Sequence, residues 1–457
     1  MTKGNIEIIV KDLKDHPQCI HGPTILFSRE VKGVRRNFFA CSACRERKHC
    51  NFFLWEDERN KLTLSKKQIW EQETMKYLKN INHRKIFVTL NKVIGLPPTK
   101  RLYCHNCSEF VLEMSESKHS DHNLLRGLTD YQLNHPSEIL LPAENTKKEA
   151  QYLFSKLSVK TIVDIFTQLG YKDVICIGTP RIHEHIRSSC DDMNSILLDI
   201  DSRFHSFFGP LEYVWYNSFN HHFFFTEAGN VFKDFLKSSK GKNTVLITDP
   251  PFGGRVEPLA FTFTTINNEY KSIHKTKSDL PMFWVFPYFM EPQILNSLPN
   301  FKMLDYKVLY DNHSSFQNGP KGRKQGSPVR IFTNVNPRLI KLPEDEYKFC
   351  PLCNRWVSLE NKHCSLCNNC TSKDGRSYVH CEICKRCVKP TWKHCRKCER
   401  CTQVEHKCLI LKFSKRCFHC KEEGHKKSEC PLMNIALNNR RKKKIDKRMK
   451  KKKIHVE

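Results

Sequence analysis

The chain has 457 residues, enough for two or more domains, and its 77 basic against 48 acidic side chains give a formal net charge of +29. That excess points to a polyanionic partner, foremost nucleic acid; an anionic membrane surface fits less well, because no amphipathic basic helix or lipidation motif stands out. No run approaches the roughly 20 apolar residues of a membrane-spanning helix, and the polar N-terminus has no secretory core, so a soluble intracellular protein is expected. Most of the 23 cysteines sit in C-x-x-C spacings flanked by His. In a long chain without a signal peptide this reads as zinc ligation rather than a disulfide framework. Only Cys176 and Cys190 fall outside the Cys/His clusters, and they read as ordinary thiols.

Residues 1–60 offer a Cys₃His ligand set, Cys19, His21, Cys41 and Cys50, with Cys44 as a spare. Arg35, Arg36, Phe38, Phe39, Phe52, Phe53 and Trp55 lie between and after the ligands. C-x-H, a basic-aromatic stretch before a Cys, then C-x-F-F-x-W: this segment resembles a GRF-type zinc finger, although the family's Gly-Arg-x-Phe appears as Arg35-Arg36-Asn37-Phe38-Phe39. Its aromatics serve either as the mini-core of a domain too small to fold without metal or as a surface for single strands. Residues 61–125 form a connector, helical and basic up to Pro97-Pro98, then a Cys₂His₂-like element. Cys104-x2-Cys107 is typical of such a site, whereas His119-x2-His122 is spaced more tightly than usual.

Residues 126–342 alternate helix and strand signals. Thr161–Leu169 reads as a helix stopped by Gly170. Val174–Ile177, Ser195–Leu198, Tyr213–Tyr216, Val245–Thr248 and Met282–Phe289 read as strands, and Phe223 to Phe225 as a further buried one. Lys307–Asn312 and Val329–Val335 flank a long hairpin loop. The pattern predicts an α/β domain with a mostly parallel sheet and one antiparallel edge. Ligands of such sheets bind outside the C-terminal strand ends. Three ends are marked here. Ile177-Gly178-Thr179-Pro180-Arg181 has a single Gly, too few for a pyrophosphate cradle, and suits an adenosine cofactor without phosphates such as S-adenosylmethionine. Asp199 and Asp201 follow the next strand, where either can accept the ribose hydroxyls. Asp201 is also a candidate partner for Arg181, the alternative to a cofactor role for either residue. Asp249-Pro250-Pro251-Phe252 ends a later strand: a carboxylate to accept an exocyclic N–H, prolines that turn the chain out of the sheet, and a ring on which a base can stack.

Residues 343–412 carry three copies of H-C-x2-C-x2-C: His363, Cys364, Cys367, Cys370; His380, Cys381, Cys384, Cys387; His394, Cys395, Cys398, Cys401. Cys350-x2-Cys353 precedes and His406-x-Cys408 follows. These sixteen ligands allow at most four tetrahedral zinc sites, and the spacing leaves the pairing open. The last copies also look like the cysteine-rich domain of protein palmitoyltransferases, but the active D-H-H-C is Glu405-His406-Lys407-Cys408 here. Residues 413–432 hold a complete CCHC knuckle, Cys417, Cys420, His425 and Cys430, of the kind that grips single-stranded RNA. The tail, 433–457, is almost all Lys and Arg from Arg440 to Lys453, which suits nuclear import and non-specific RNA contact.

D-P-P-F after an apolar strand is the signature of amino methyltransferases. With the GRF-like finger, the Cys₂His₂-like element, the Cys-rich region and the knuckle in this order, nearly the whole chain resembles the CCHC-zinc-finger ribosomal-RNA adenine-N6 methyltransferases. The resemblance implies a Rossmann-like S-adenosylmethionine-dependent methyltransferase domain with several small zinc-binding modules. It implies methylation of an adenosine N6 in large-subunit ribosomal RNA, with pre-ribosomal particles as partners, no membrane, and a nuclear or nucleolar and cytoplasmic location. Asp249, Pro250, Pro251 and Phe252 take the catalytic positions. Ile177, Gly178, Thr179, Arg181, Asp199, Asp201 and Asp249 take the cofactor positions, joined by Tyr131 and Leu133 from Tyr131-Gln132-Leu133-Asn134-His135-Pro136-Ser137, which resembles the segment covering the cofactor. A zinc-rich RNA-binding assembly factor without activity and a DNA adenine methyltransferase are the alternatives.

Overall fold

A computed structural model of the chain describes residues 6–10, 12–31, 33–44, 49–61, 63–78, 81–141, 151–238, 243–313, 326–406 and 408. They fall into two compact units, one formed by residues 1–361 with 373–375 and the other by 362–372 with the residues from 376 on. The zinc knuckle and the basic tail expected in 413–457 lie outside the described residues.

The first unit is built around an eight-stranded sheet. Its strands are β1 (Asp173–Ile177), β2 (Asn194–Asp199), β3 (Tyr213–Asn217), β4 (His222–Phe223), β5 (Thr244–Thr248), β6 (Met282–Pro287), β7 (Lys302–Met303) and β8 (Val329–Thr333). They lie in the order 4-3-2-1-5-6-8-7. β3-β2-β1-β5-β6 are parallel; β4 pairs antiparallel with β3, β8 with β6, and β7 with β8. The central strands are continuous apolar runs because helices cover both faces. Val174, Cys176, Val245 and Ile247 join one apolar cluster with Ile162 and Phe166 of α1 (Lys156–Gln168) and Ile182 and Ile186 of α2 (Pro180–Ser189). Ile175, Ile177 and Leu246 join the other with Phe232 and Leu236 of α3 (Thr226–Ser238) and Leu259, Phe263 and Ile266 of α4 (Val256–His274). Alternate residues of one strand thus serve opposite layers, as period-two side-chain geometry requires.

Three strand expectations need correction. The sheet has antiparallel strands at both edges rather than one. The strand read at Lys307–Asn312 is displaced: β7 is Lys302–Met303, and the chain beyond it keeps only single bonds to β8, Leu304 N–H to Ile331 O (2.8 Å) and Val308 N–H to Val329 O (3.2 Å). Leu309 to Asn312 pairs instead with the segment before α1, where Ser155 N–H donates to Leu309 O (2.8 Å) and Asp311 N–H to Leu153 O (3.0 Å). The buried strand read at Phe223 to Phe225 is only His222–Phe223, because Phe224 turns to stack on Trp215 with ring centroids 4.0 Å apart.

The N-terminal finger is a four-stranded antiparallel sheet (Glu7–Ile9, Ile25–Val31, Val34–Ala40, Phe53–Trp55). It docks on the turn between β3 and β4. Asn217 Nδ2 donates to His21 O (2.8 Å) and Ser42 Oγ (3.0 Å); Asn220 Nδ2 donates to His21 O (3.1 Å) and Pro23 O (2.7 Å). Gly22 lies against the His222 ring with φ +91°, and a Cβ there would stand 2.3 Å from the ring. Gly22→Ala is therefore expected to lower stability by about 1–3 kcal/mol through overpacking and left-handed strain. A thermal melt of the zinc-loaded protein checks this; an unchanged melting temperature would mean that the contact is loose. The Cys₂His₂-like element is a three-stranded sheet (Leu102–Cys104, Glu109–Val111, Leu124–Arg126), held to the catalytic domain by Tyr103 and Phe110 around Phe207. The hairpin of Tyr347–Cys350 and Arg355–Ser358, which carries Cys350 and Cys353, also belongs to this unit: buried Asp305 accepts from Ser358 N–H (2.9 Å) and Asn361 Nδ2 (2.8 Å).

The second unit is a series of two-stranded hairpins, His363–Cys364 with Asn369–Cys370, Val379–Cys381 with Arg386–Val388, and Trp392–Cys395 with Arg400–Gln403. At each tip the residue after the second Cys of C-x-x-C is left-handed: Asn368, Lys385 and Glu399 have φ of 47°, 50° and 49°. No Gly occupies these positions, so ligation overrides a local preference of about 1–2 kcal/mol per residue. Among the described residues no helix is long and apolar enough to cross a membrane.

Candidate active site and zinc centres

β1 and β5 are neighbours whose following connections lead to opposite sides of the sheet, which makes their C-terminal ends the switch point of the fold. A cavity of about 550 Å³ opens there. Ile177, Gly178, Leu198, Asp199, Asp201 and the whole of Asp249-Pro250-Pro251-Phe252 line it. Gly178 is left-handed (φ +64°), and a Cβ on it would meet the Asp249 carbonyl at 3.3 Å, so only Gly leaves this crevice open. Gly254 closes the turn after D-P-P-F by donating to Pro251 O at 2.6 Å; a Cβ there would sit 2.8 Å from that oxygen and 3.0 Å from the Phe219 ring.

The two acids after β2 have different surroundings. Asp201 is occupied: it accepts from Arg203 Nη2 (2.6 Å) and Nε (2.8 Å) and from Gln151 Nε2 (3.4 Å). Asp199 is buried at the strand end and accepts the Asp201 backbone N–H at 2.9 Å. Burial, and then the charge of Asp201, push its carboxyl up to about 7. Hydroxyl donors, such as those of a ribose, would favour its ionised form.

Asp249 stands half-buried at the end of β5, its N–H bonded to Ile177 O at 3.2 Å. Tyr310 Oη donates to its carboxylate and lies 3.0 Å from each oxygen. Burial raises the Asp249 carboxyl well above the ordinary carboxylate range, and the Tyr310 hydrogen bond acts in the opposite sense. Phe252 has Tyr152 beside it (5.7 Å, 32° between planes), with Phe286 and Tyr310 edge-on at 6.1 and 5.9 Å. The carboxylate is thus set in an aromatic pocket next to the cofactor crevice.

Four residues expected at the cofactor do not line the cavity. Tyr131 is half-exposed and stacks on His135 (4.0 Å, 19°), and Leu133 is buried in the core. Their segment packs on α2, where Ser137 N–H and Oγ donate to the buried Glu184 carboxylate (2.8 and 2.6 Å). Thr179 is buried below the loop. Arg181 donates to Phe154 O (2.6 Å) and pairs with Asp311 rather than with Asp201. The residues that sequence reasoning missed are Tyr310, which bonds Asp249, and, in the cavity wall, Tyr152, the β3–β4 turn (Asn217, Phe219) and Ala43, His49 and Cys44 of the finger, the last read only as a spare zinc ligand. Nothing in their local sequence marks them; they gather only through the pairing of distant segments.

A tetrahedral zinc with bonds of 2.0–2.3 Å needs ligand–ligand edges of about 3.3–3.8 Å. Cys19, His21, Cys41 and Cys50 converge to within 4.8 Å of one another, with Cys41 Sγ 3.5 Å from His21 Nδ1. Cys104, Cys107, His119 and His122 converge likewise, with edges of 3.3–3.5 Å between sulfur and His122 or His119 Nδ1, so the short His spacing is no obstacle. In the second unit the ligands interleave. Cys364 and Cys367 join His380 and Cys387 of the next copy; Cys381 and Cys384 join His394 and Cys401. Cys395 and Cys398 face His406 and Cys408 (Cys398 Sγ to His406 Nε2 3.4 Å; Cys395 Sγ to Cys408 Sγ 3.8 Å). The sites fit zinc in donor type and spacing.

The parallel sheet, the open crevice at its switch point, the acid after β2 and the D-P-P-F turn define an S-adenosylmethionine-dependent methyltransferase, and the Cys/His clusters make it a protein of several zinc ions. Residues 145–335 match the family described as probable N6-adenine methyltransferase, and residues 17–59 match the GRF zinc finger. The chain is 45% identical over 448 residues to the human rRNA N(6)-adenosine-methyltransferase ZCCHC4, covering 95% of this chain and 86% of the relative. It is 46% identical over 452 residues to the Bos taurus protein of that name (96% and 86%) and 45% over 435 residues to that of Xenopus tropicalis (93% and 88%). The chain belongs to the ZCCHC4 family of methyltransferases.

Proposed function

We propose that this protein methylates the N6 amine of an adenosine in ribosomal RNA of the large subunit, working on that RNA or on pre-ribosomal particles in the nucleus and nucleolus, with a cytoplasmic fraction. The observation that carries the reading is Asp249, a carboxylate set among aromatic rings beside a crevice shaped for an adenosine cofactor. The relatives' names supply ribosomal RNA as the substrate class. The run of Lys and Arg from Arg440 to Lys453 supports a nucleolar location.

Bound S-adenosylmethionine supplies an electrophilic methyl on a sulfonium. The chain's own residues prepare the acceptor. Asp199 takes the ribose hydroxyls, and Ile177 and Gly178 let the cofactor approach the backbone. The adenine N6 lone pair is delocalised into the ring and is a poor nucleophile. Asp249 and the Pro250 carbonyl accept its two N–H bonds, which pulls the nitrogen toward tetrahedral geometry and aims it. Phe252 stacks on the extruded base, and extrusion costs only a few kcal/mol, least in unpaired RNA. Orientation supplies most of the acceleration; alkylation makes the amine acidic, and its proton then passes along its hydrogen bond to Asp249 and on to water.

Nucleoside mass spectrometry of separated ribosomal RNAs, with and without the protein, tests this. N6-methyladenosine in large-subunit RNA is expected to disappear with the protein. Loss confined to small-subunit RNA, or faster transfer to duplex DNA than to structured RNA in vitro, would defeat the assignment.

A further inference from the structure

We propose that Tyr310 is a positioning residue for Asp249: its hydroxyl fixes the plane of the carboxylate and leaves the remaining oxygen lone pairs to the exocyclic amine. This rests on the reading of Asp249 as the amine acceptor. The hydroxyl lies 3.0 Å from both carboxylate oxygens, so one donor spans the group. A carboxylate has about four lone-pair sites, and those not facing Tyr310 stay open to the cavity. The Tyr310 ring is 1% exposed, packed against Phe154 (5.3 Å), Phe252 (5.9 Å) and Tyr152 (6.0 Å), so the hydroxyl has little freedom to move.

The backbone that carries Tyr310 is also held. Leu309 and Asp311 pair with Ser155 and Leu153, and Leu153 N–H donates to Asn312 Oδ1 at 2.8 Å. Arg181 ties both sides of this strap, donating to Phe154 O and pairing with Asp311. A continuous set of contacts thus runs from the loop after β1 through the strap to the carboxylate. Arg181, which sits outside the cavity, acts on the site through Tyr310.

The test uses the full-length, zinc-loaded protein with ribosomal RNA as substrate. Tyr310→Phe keeps the ring and removes the donor. It is expected to leave S-adenosylmethionine affinity by calorimetry within about threefold, to leave KM for RNA nearly unchanged and to lower kcat about tenfold or more, the weight of a hydrogen bond to a charged group. The acid limb of the kcat profile should also move to higher pH, because the lost donor favours the ionised carboxyl. Asp199, Asp201, Arg203, Tyr152, Tyr216, His21, Cys44 and His49 also face the cavity and are the same in both proteins, so the moved limb reports on Asp249. Arg181→Gln should shift kcat and the limb in the same directions by less, and it serves if Tyr310→Phe does not fold. Normal kcat and an unmoved limb in these variants overturn the proposal, provided that Asp249→Asn is inactive in the same assay. Transfer retained by Asp249→Asn would overturn instead the reading of Asp249 on which it rests.

Discussion

Asp249→Asn is expected to lose methyl transfer by about 10²–10³-fold or more, the usual consequence of removing a polar group aimed at the reacting atom, while melting at the same temperature or higher. The two effects share one cause. The folded protein raises the Asp249 carboxyl above its ordinary value of 3.8, mainly by burial. The native state therefore holds this proton more tightly than the unfolded chain does. As pH rises through the ordinary value the unfolded chain ionises first, and the native state loses stability until its own carboxyl ionises. At neutral pH the group is a standing cost, offset in part by the Tyr310 hydroxyl. Asn removes the cost and keeps an oxygen for Tyr310, but it presents no charge to the amine. The gain in melting temperature should shrink as pH falls through the ordinary value of 3.8 and vanish below it, where the carboxyl is neutral in both states. Methyl transfer from labelled cofactor, RNA binding and melts at two pH values measure all of this. A variant that methylates at the normal rate would remove Asp249 from the mechanism; one that melts much lower would show that the carboxylate stabilises the fold.

This trade of stability for placement explains what was legible in the sequence. Strands buried on both faces announce themselves as apolar runs, so Val174–Ile177 and Val245–Thr248 can be read without a structure, and the ends of those strands locate the cavity. D-P-P-F is local chemistry on a single turn and is equally readable. Tyr310 is not. It reaches Asp249 only because the chain beyond Val308 pairs with residues 153–155, about 150 positions earlier, and no periodicity encodes that partnership. Arg181 shows the converse. Its place after a strand-end Gly is a good cofactor signal, yet a long side chain on the first turn of a helix can swing to whichever carbonyl is left open, here Phe154 O. Zinc ligands were visible from spacing, but their pairing was not. The repeat H-C-x2-C-x2-C is the unit of sequence, while the unit of coordination takes two cysteines from one copy and a His and a Cys from the next.

That interleaving makes the strongest prediction for the second unit. The hairpin Val379–Cys381 with Arg386–Val388 carries His380 and Cys387, which face each other in register and serve one ion. The same hairpin carries Cys381 and Cys384, which serve the next. A two-stranded hairpin of three residues a side is marginal in water, whereas a structural zinc contributes an apparent 10–16 kcal/mol or so at neutral pH. Losing the first ion should therefore also loosen the frame that aims Cys381 and Cys384 at the second. Cys387→Ser is expected to release its own zinc and to speed chelator removal of the neighbour held by Cys381, Cys384, His394 and Cys401. Cys408 lies after the last hairpin and faces Cys395 of that hairpin, Sγ to Sγ at 3.8 Å. Cys408→Ser should release its own zinc and speed removal of that same neighbour from the other side, because the hairpin Trp392–Cys395 with Arg400–Gln403 also carries His394 and Cys401. Native mass spectrometry of the full-length protein during chelation counts the ions, with the N-terminal finger site as the internal reference. Equal losses of a single ion from both variants, with no change at neighbouring sites, would mean that the shared hairpin transmits nothing and that each zinc folds its own ligands alone.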